Sequence, residues 1–190
     1  MTTLYLAGDP EADEILARDP FALLVGMLLD QQVPMEKAFS GPSVIASRLG
    51  ATSLDPAAIA AHDPEQFAEL VSRTPAVHRF PGSMAGRIQK VAAFVAERYD
   101  NDAAAIWSDA GTGAELLKRL KALPGFGEQK AKIMVALLGK QFGVQPEGWR
   151  EAAGAYGEEG STRSVADVVD AESLARVRAT KRELKRAAKA

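Results

Sequence analysis

Apolar residues recur along this chain at steps of three and four, and no stretch alternates in the manner of a strand. Ile88, Val91, Ala92, Val95 and Tyr99 form one such series. Arg87, Lys90, Glu97 and Arg98 fall between them, which predicts an amphipathic helix with Ser83 as its cap. FALLVGMLLDQQ, Phe21 to Gln32, is apolar nearly all round up to its polar end, and at this length it predicts a central buried helix rather than a membrane span. The pairs Asp9-Pro10, Asp19-Pro20, Asp55-Pro56 and Asp63-Pro64 each set a capping side chain before a residue suited to the first helical position. The expected fold is all-α, in two lobes, with short connections such as Phe80-Pro81-Gly82 and Asp109 to Gly113.

Two of the predicted helices meet at Leu123-Pro124-Gly125-Phe126-Gly127. Leu116, Leu120 and Leu123 stripe the first arm, and Ile133, Met134, Leu137 and Leu138 the second, so the arms can pack as an αα-hairpin. Glycines at 125 and 127 permit left-handed backbone angles and let main-chain amides at the start of the second arm approach an anion, such as a backbone phosphate. The same spacing also suits an ordinary helical corner, and the residues alone leave both readings open.

Composition narrows the chemistry. The 190 residues hold no cysteine, which excludes disulfides, cysteine-ligated zinc and a cysteine-held iron–sulfur cluster, and no cofactor is expected. His62 and His78 lie apart with no third ligand at metal spacing, so surface or capping roles are expected and no metal site. The N-terminal residues show neither a basic nor an apolar leader segment, and the expectation is a soluble cytoplasmic protein. Charge is uneven. From Arg176 onward seven Lys/Arg face the single Glu183, so that segment carries +6 and residues 1–175 carry −8 of the net −2. Such a tail is either a solvated helix end, with Leu174, Val177 and Leu184 turned to the core, or an attraction for nucleic acid.

The hairpin residues, followed by Gln129, Lys130 and Ala131, resemble the helix–hairpin–helix of the HhH-GPD superfamily of base-excision DNA glycosylases, which includes endonuclease III and the methyladenine glycosylases. Leu28-Leu29-Asp30-Gln31-Gln32-Val33 resembles the family's Leu-Leu-x-Gln-Gln segment, and Ala85 to Val91 its Lys/Arg-rich helix. The likeness covers roughly residues 20–148. It implies a helical domain over about 1–160, followed by a basic helical extension at 161–190. It also implies duplex DNA as partner, held by Leu123, Gly125, Phe126, Gly127, Gln129 and Lys130, with Gln32 entering the duplex where a damaged base leaves it. No membrane partner is expected.

The departures from the family pattern shape the expected activity. Lyase-active members carry a lysine at the position of Gln129, whereas Lys130 comes one place later, turned by about 100° on a helix and directed toward phosphate. A monofunctional glycosylase is therefore expected, one that hydrolyses the N-glycosidic bond without lyase chemistry. Glu147 stands eighteen residues past the lysine position, where the family keeps an aspartate, and is the expected catalytic carboxylate, with a surface or helix-capping acid as the other reading. Glu151 lies one helical turn further on. Glu128 suits the helix dipole but repels an approaching phosphate. Trp107 and Trp149 suit a core, and Trp149 also suits stacking in a base pocket. The alternatives to an enzyme are an inactive relative that binds distorted duplex, and a hairpin used for protein contacts.

Overall fold

The computed structural model describes residues 2–190, which form eleven α-helices and no strand. A first group comprises α1 (Pro10–Arg18), α2 (Pro20–Leu29), α3 (Met35–Arg48), α4 (Pro56–Ala61), α5 (Pro64–Ser72) and α6 (Pro81–Arg98). A second comprises α7 (Ala105–Ser108), α8 (Gly113–Lys121), α9 (Glu128–Gln141), α10 (Trp149–Ala153) and α11 (Ala171–Lys189). None of the helices among the described residues is long and apolar enough to cross a membrane.

All four Asp-Pro signals start helices. Asp9, Asp55 and Asp63 each accept from a main-chain N–H of the following first turn. Asp19 goes further: one carboxylate oxygen accepts from the amides of Phe21 and Ala22, and the other accepts at 2.7 Å from Leu54 N. The α2 N-terminus is thus tied to the loop before α4. From Phe21 to Leu29 every residue of α2 is buried, the arrangement that its all-round apolar sequence requires. The α6 stripe of Ile88, Val91, Ala92 and Val95 is buried as well. Its start differs from expectation: α6 begins at Pro81, whose fixed φ suits the first turn, so Ser83 already lies inside the helix and no side chain caps it.

The boundary expected at 160/161 falls within packed structure. Gln141 Nε2 donates to the carbonyls of Ala166 (2.8 Å) and Val168 (3.2 Å), Lys140 pairs with Asp167, and Val165, Ala166 and Val177 are buried. Arg178 of α11 then reaches across to Glu36 of α3. From Lys181 onward every residue is exposed. The two helix groups also meet where the end of α2 touches the start of α9, and the candidate site lies there.

Candidate functional site

α2 stops at Leu29 because the chain must turn toward Pro34, which has no N–H to continue a helix and serves as the N-cap of α3. Gln31 is fixed within that turn. Its amide Nε2 donates to Leu28 O at 3.0 Å, its Oε1 accepts from Arg87 at 3.2 Å, and its carbonyl lies 2.9 Å from His78 Nε2. His78 is buried, which excludes the surface role among the surface and capping roles expected of it. Its Nδ1 accepts from Phe80 N at 3.0 Å, which leaves the ring proton on Nε2 to donate to Gln31. Gln32, by contrast, is exposed and holds φ 59, a left-handed backbone that costs a glutamine about 1–2 kcal/mol. The helix-closing role thus belongs to Gln31, and the projecting residue is Gln32.

The hairpin packs against the same spot. Gly125 has φ 81, and a Cβ there would lie 3.0 Å from Leu28 Cδ1, so the turn rests directly on the end of α2. Gly127 is different: its φ of −71 is ordinary, and a Cβ would meet nothing within 4 Å. No side chain caps α9, so the N–H groups of its first turn are open to a group from outside. Leu123 and Phe126, both among the hairpin residues expected at the DNA contact, are buried, and their side chains anchor the turn. Glu128 stands between Lys121 (3.7 Å) and Lys132 (3.9 Å), which offset the repulsion it would otherwise exert on a phosphate.

Between the α2 turn, α9 and α11 lies a cleft of about 540 Å³, within the usual range of a small-molecule pocket. Gln32 stands at it, with Gln129 and Lys130 from α9, Tyr156, Arg163, and Lys181 and Leu184 from α11. Gln129 Nε2 donates to the Tyr156 hydroxyl at 3.0 Å. Lys130 Nζ donates to Met27 O at 2.7 Å and Leu28 O at 3.1 Å, supplying from another helix the positive charge that the α2 C-terminus lacks. Burial pushes its amine down to about 8, against the opposing pull of Asp30 and with a smaller push from Arg87. Asp30 also lines the cleft. Burial raises its carboxyl above the ordinary value, Lys181 and Lys130 pull it back, and Glu36 adds a further rise.

Glu147 is not in this cleft. It is exposed, and its carbonyl accepts from Gly113 N at 2.8 Å, in a main-chain bridge beside Thr112 at the start of α8. Its neighbour Gln145 bonds Gly139 O, nine residues along α9 from Lys130 and hence about 14 Å away along the axis. Spacing along the sequence alone does not bring the carboxylate back to the cleft, and Glu151 is exposed on α10 without lining it. Trp149 is also distant from it. Its ring lies on Gly139, where a Cβ would come within 2.3 Å of it, and the Arg150 guanidinium stacks over the ring at 4.5 Å from its centroid. Trp149 is therefore a core residue and not a stacking platform. Trp107 packs half-buried on the core, and His62 closes α4 with Nδ1 3.2 Å from Asp63 O.

The cleft contains residues that sequence reasoning passed over. Asp30 stands inside the Leu-Leu-Asp-Gln-Gln segment itself, and only its place on the turn reveals that it faces Lys130. Lys181 and Leu184 share a helical face three residues apart, a signal present in the sequence but compatible with any partner. Tyr156 and Arg163 gave no periodic signal. A family model described as HhH-GPD superfamily base excision DNA repair protein matches residues 25–190. No curated protein matches the chain by sequence.

Proposed function

The chain belongs to the HhH-GPD superfamily of base excision DNA repair proteins, and we propose that within it the protein acts as a monofunctional DNA glycosylase. The observation that carries this reading is the convergence on one cleft of the strained Gln32 turn, the open amides of α9 and the amide of Gln129. A duplex laid along the hairpin would have its phosphate near Gly125, Gly127 and the α9 amides. Gln32 would fill the gap left by an extruded base, and the base itself would enter the cleft. Schiff-base lyase chemistry requires an amine free to reach the sugar carbon. Gln129 offers none, and Lys130 is engaged with Met27 and Leu28. Hydrolysis of the N-glycosidic bond is the chemistry left to such a site.

The placement of Glu147 outside the cleft favours a second reading, a non-catalytic relative that binds damaged or distorted duplex through the same surface. One experiment separates them. The protein is incubated with duplexes that each hold one uracil, hypoxanthine, 8-oxoguanine or alkylated purine, and free base and alkali-labile sites are measured, with borohydride present in a parallel set. Base release without a trapped adduct is the expected outcome. Tight binding to a damaged duplex with no release from any member of the set would establish the second reading instead.

A further inference from the structure

Asp30 is the carboxylate that lines the cleft. We infer that Asp30 is the catalytic carboxylate of this site, facing the sugar of the extruded nucleotide, and that Lys130 is the residue that positions it. The inference rests on the glycosylase reading and names the group that would perform its chemistry.

Three features of the geometry carry it. Asp30 caps the C-terminus of α2 through its backbone, its N–H donating to Met27 O, so its side chain is not used in closing the helix. No hydrogen bond from the described residues accounts for its protonation behaviour, which is set by burial and by charges acting through space. An acid held this way keeps its lone pairs free for a ligand. Lys130 is tied to the carbonyls of Met27 and Leu28, in the last turn of α2, and thereby fixes the turn that presents Asp30. The charged groups around the carboxylate come from each neighbouring element: Lys130 from α9, Lys181 from α11 and Glu36 from α3. Burial is the largest influence on the carboxyl and raises it, and the two cations draw it part of the way back toward the ionised form.

The chemistry that such a group performs follows from the bond being broken. As the C1′–N bond lengthens, its electron pair moves onto the base and positive charge develops on the sugar ring, where an adjacent carboxylate stabilises it. Water then bonds to C1′ through oxygen while Asp30 takes one of its protons. The base nitrogen takes a proton from solvent, and Asp30 returns its own to solvent. The sum is one water added across the bond, giving free base and an abasic sugar.

Two measurements on the full chain test the assignment, and only one of them needs turnover. The first uses duplexes with a cationic pyrrolidine abasic analogue or its neutral tetrahydrofuran counterpart at one position. A carboxylate facing the sugar should bind the cation about tenfold or more tightly than the neutral analogue, and Asp30→Asn should abolish that preference while the neutral duplex binds as before. No preference in the wild type, or one that survives Asp30→Asn, overturns the inference. The second uses whichever damaged duplex the wild type cleaves: Asp30→Asn should slow base release by about 10²- to 10⁴-fold. Lys130→Met should move the acidic limb of the rate profile to higher pH, because removing a cation raises the carboxyl further. Equal base release by wild type and Asp30→Asn would remove Asp30 from the chemistry and leave the glycosylase reading standing. A cation preference that depends on Asp30, with no base released from any lesion, would overturn the glycosylase reading and leave the placement of the carboxylate intact. Misfolding of the variant is read separately. A buried carboxyl raised above its unfolded value costs stability at neutral pH, so Asp30→Asn should melt no lower than the wild type.

Discussion

Lys130 Nζ lies 2.7 Å from the main-chain oxygen of Met27, so a side chain from the hairpin closes the last turn of the helix that leads into Gln31-Gln32. The two segments that carry the family resemblance are therefore mechanically one unit. The offset of the lysine by one residue from the lyase position has a structural use: its ammonium satisfies α2 carbonyls that nothing else among the described residues caps by a basic side chain.

This arrangement makes stability depend on alkaline pH with a definite sign. The amine is pushed from 10.5 to about 8, so between those values the folded state binds fewer protons than the unfolded chain, and stability rises with pH through that window. The full shift would correspond to about 3 kcal/mol, and partial solvent exposure of Lys130 reduces it. Urea unfolding of the wild type and Lys130→Met at pH 7.5 and pH 10 should show the stability difference moving in favour of the wild type at the higher pH. A constant difference would mean that the amine titrates normally.

Gln32 holds its exposed, left-handed position with no compensating internal hydrogen bond from its side chain. Gln32→Gly should therefore raise stability by about 1 kcal/mol, because glycine adopts φ 59 freely. The same variant, and Gln32→Ala, should lose affinity for a duplex with an abasic gap more than for intact duplex. Calorimetric melting and paired binding titrations measure the two effects. Equal losses on both duplexes would deny Gln32 a role at the gap.

The helices are largely legible in the sequence because their signals are local: Asp-Pro caps, the α6 stripe and the unbroken apolar run of α2 each act within a few residues. The hairpin is legible for the same reason. What cannot be read is whatever depends on how helices lie against one another. Glu147 has the right separation along the chain, but the loop that carries it follows α9 to its far end and lies along Thr112 and Gly113. Phe126 occupies a hairpin position yet turns into the core, and His78 pairs with Gln31 across 47 residues of sequence. Asp30 stands in the middle of a recognisable segment, but its environment is made by α3, α9 and α11, and the two cations that partly offset its burial lie a hundred residues or more further along the chain.

The seating of Trp149 on Gly139 explains why the expected acid is displaced, and it can be tested alone. A Cβ at 139 would come within 2.3 Å of the ring, and a ring packed in a core has little room to retreat. Gly139→Ala should cost about 1–3 kcal/mol of overpacking and alter the fluorescence of Trp149. Glu147→Gln, on the exposed loop beside it, should leave stability, duplex binding and base release within error of the wild type. A large loss of base release in Glu147→Gln would return that residue to the chemistry.

The basic tail can now be divided at a physical boundary. Ser173 and Val177 bury α11 against the second helix group, while every residue from Lys181 onward is exposed. Ending the chain at Thr180 removes Lys181, Arg182, Lys185, Arg186 and Lys189 with Glu183, and keeps the buried anchor. If these cations meet phosphate, the slope of log affinity against log salt for duplex DNA should fall by about 0.9 for each phosphate no longer neutralised, with little change in melting temperature. Because Lys181 and Leu184 also line the cleft, the same truncation opens that side of it. A single replacement, Lys181→Gln, separates the two effects, since it removes one charge from the cleft and leaves the rest of the tail in place. An unchanged salt slope in the truncated chain would show that the tail does not touch the duplex, and the helix would then serve only to wall the cleft.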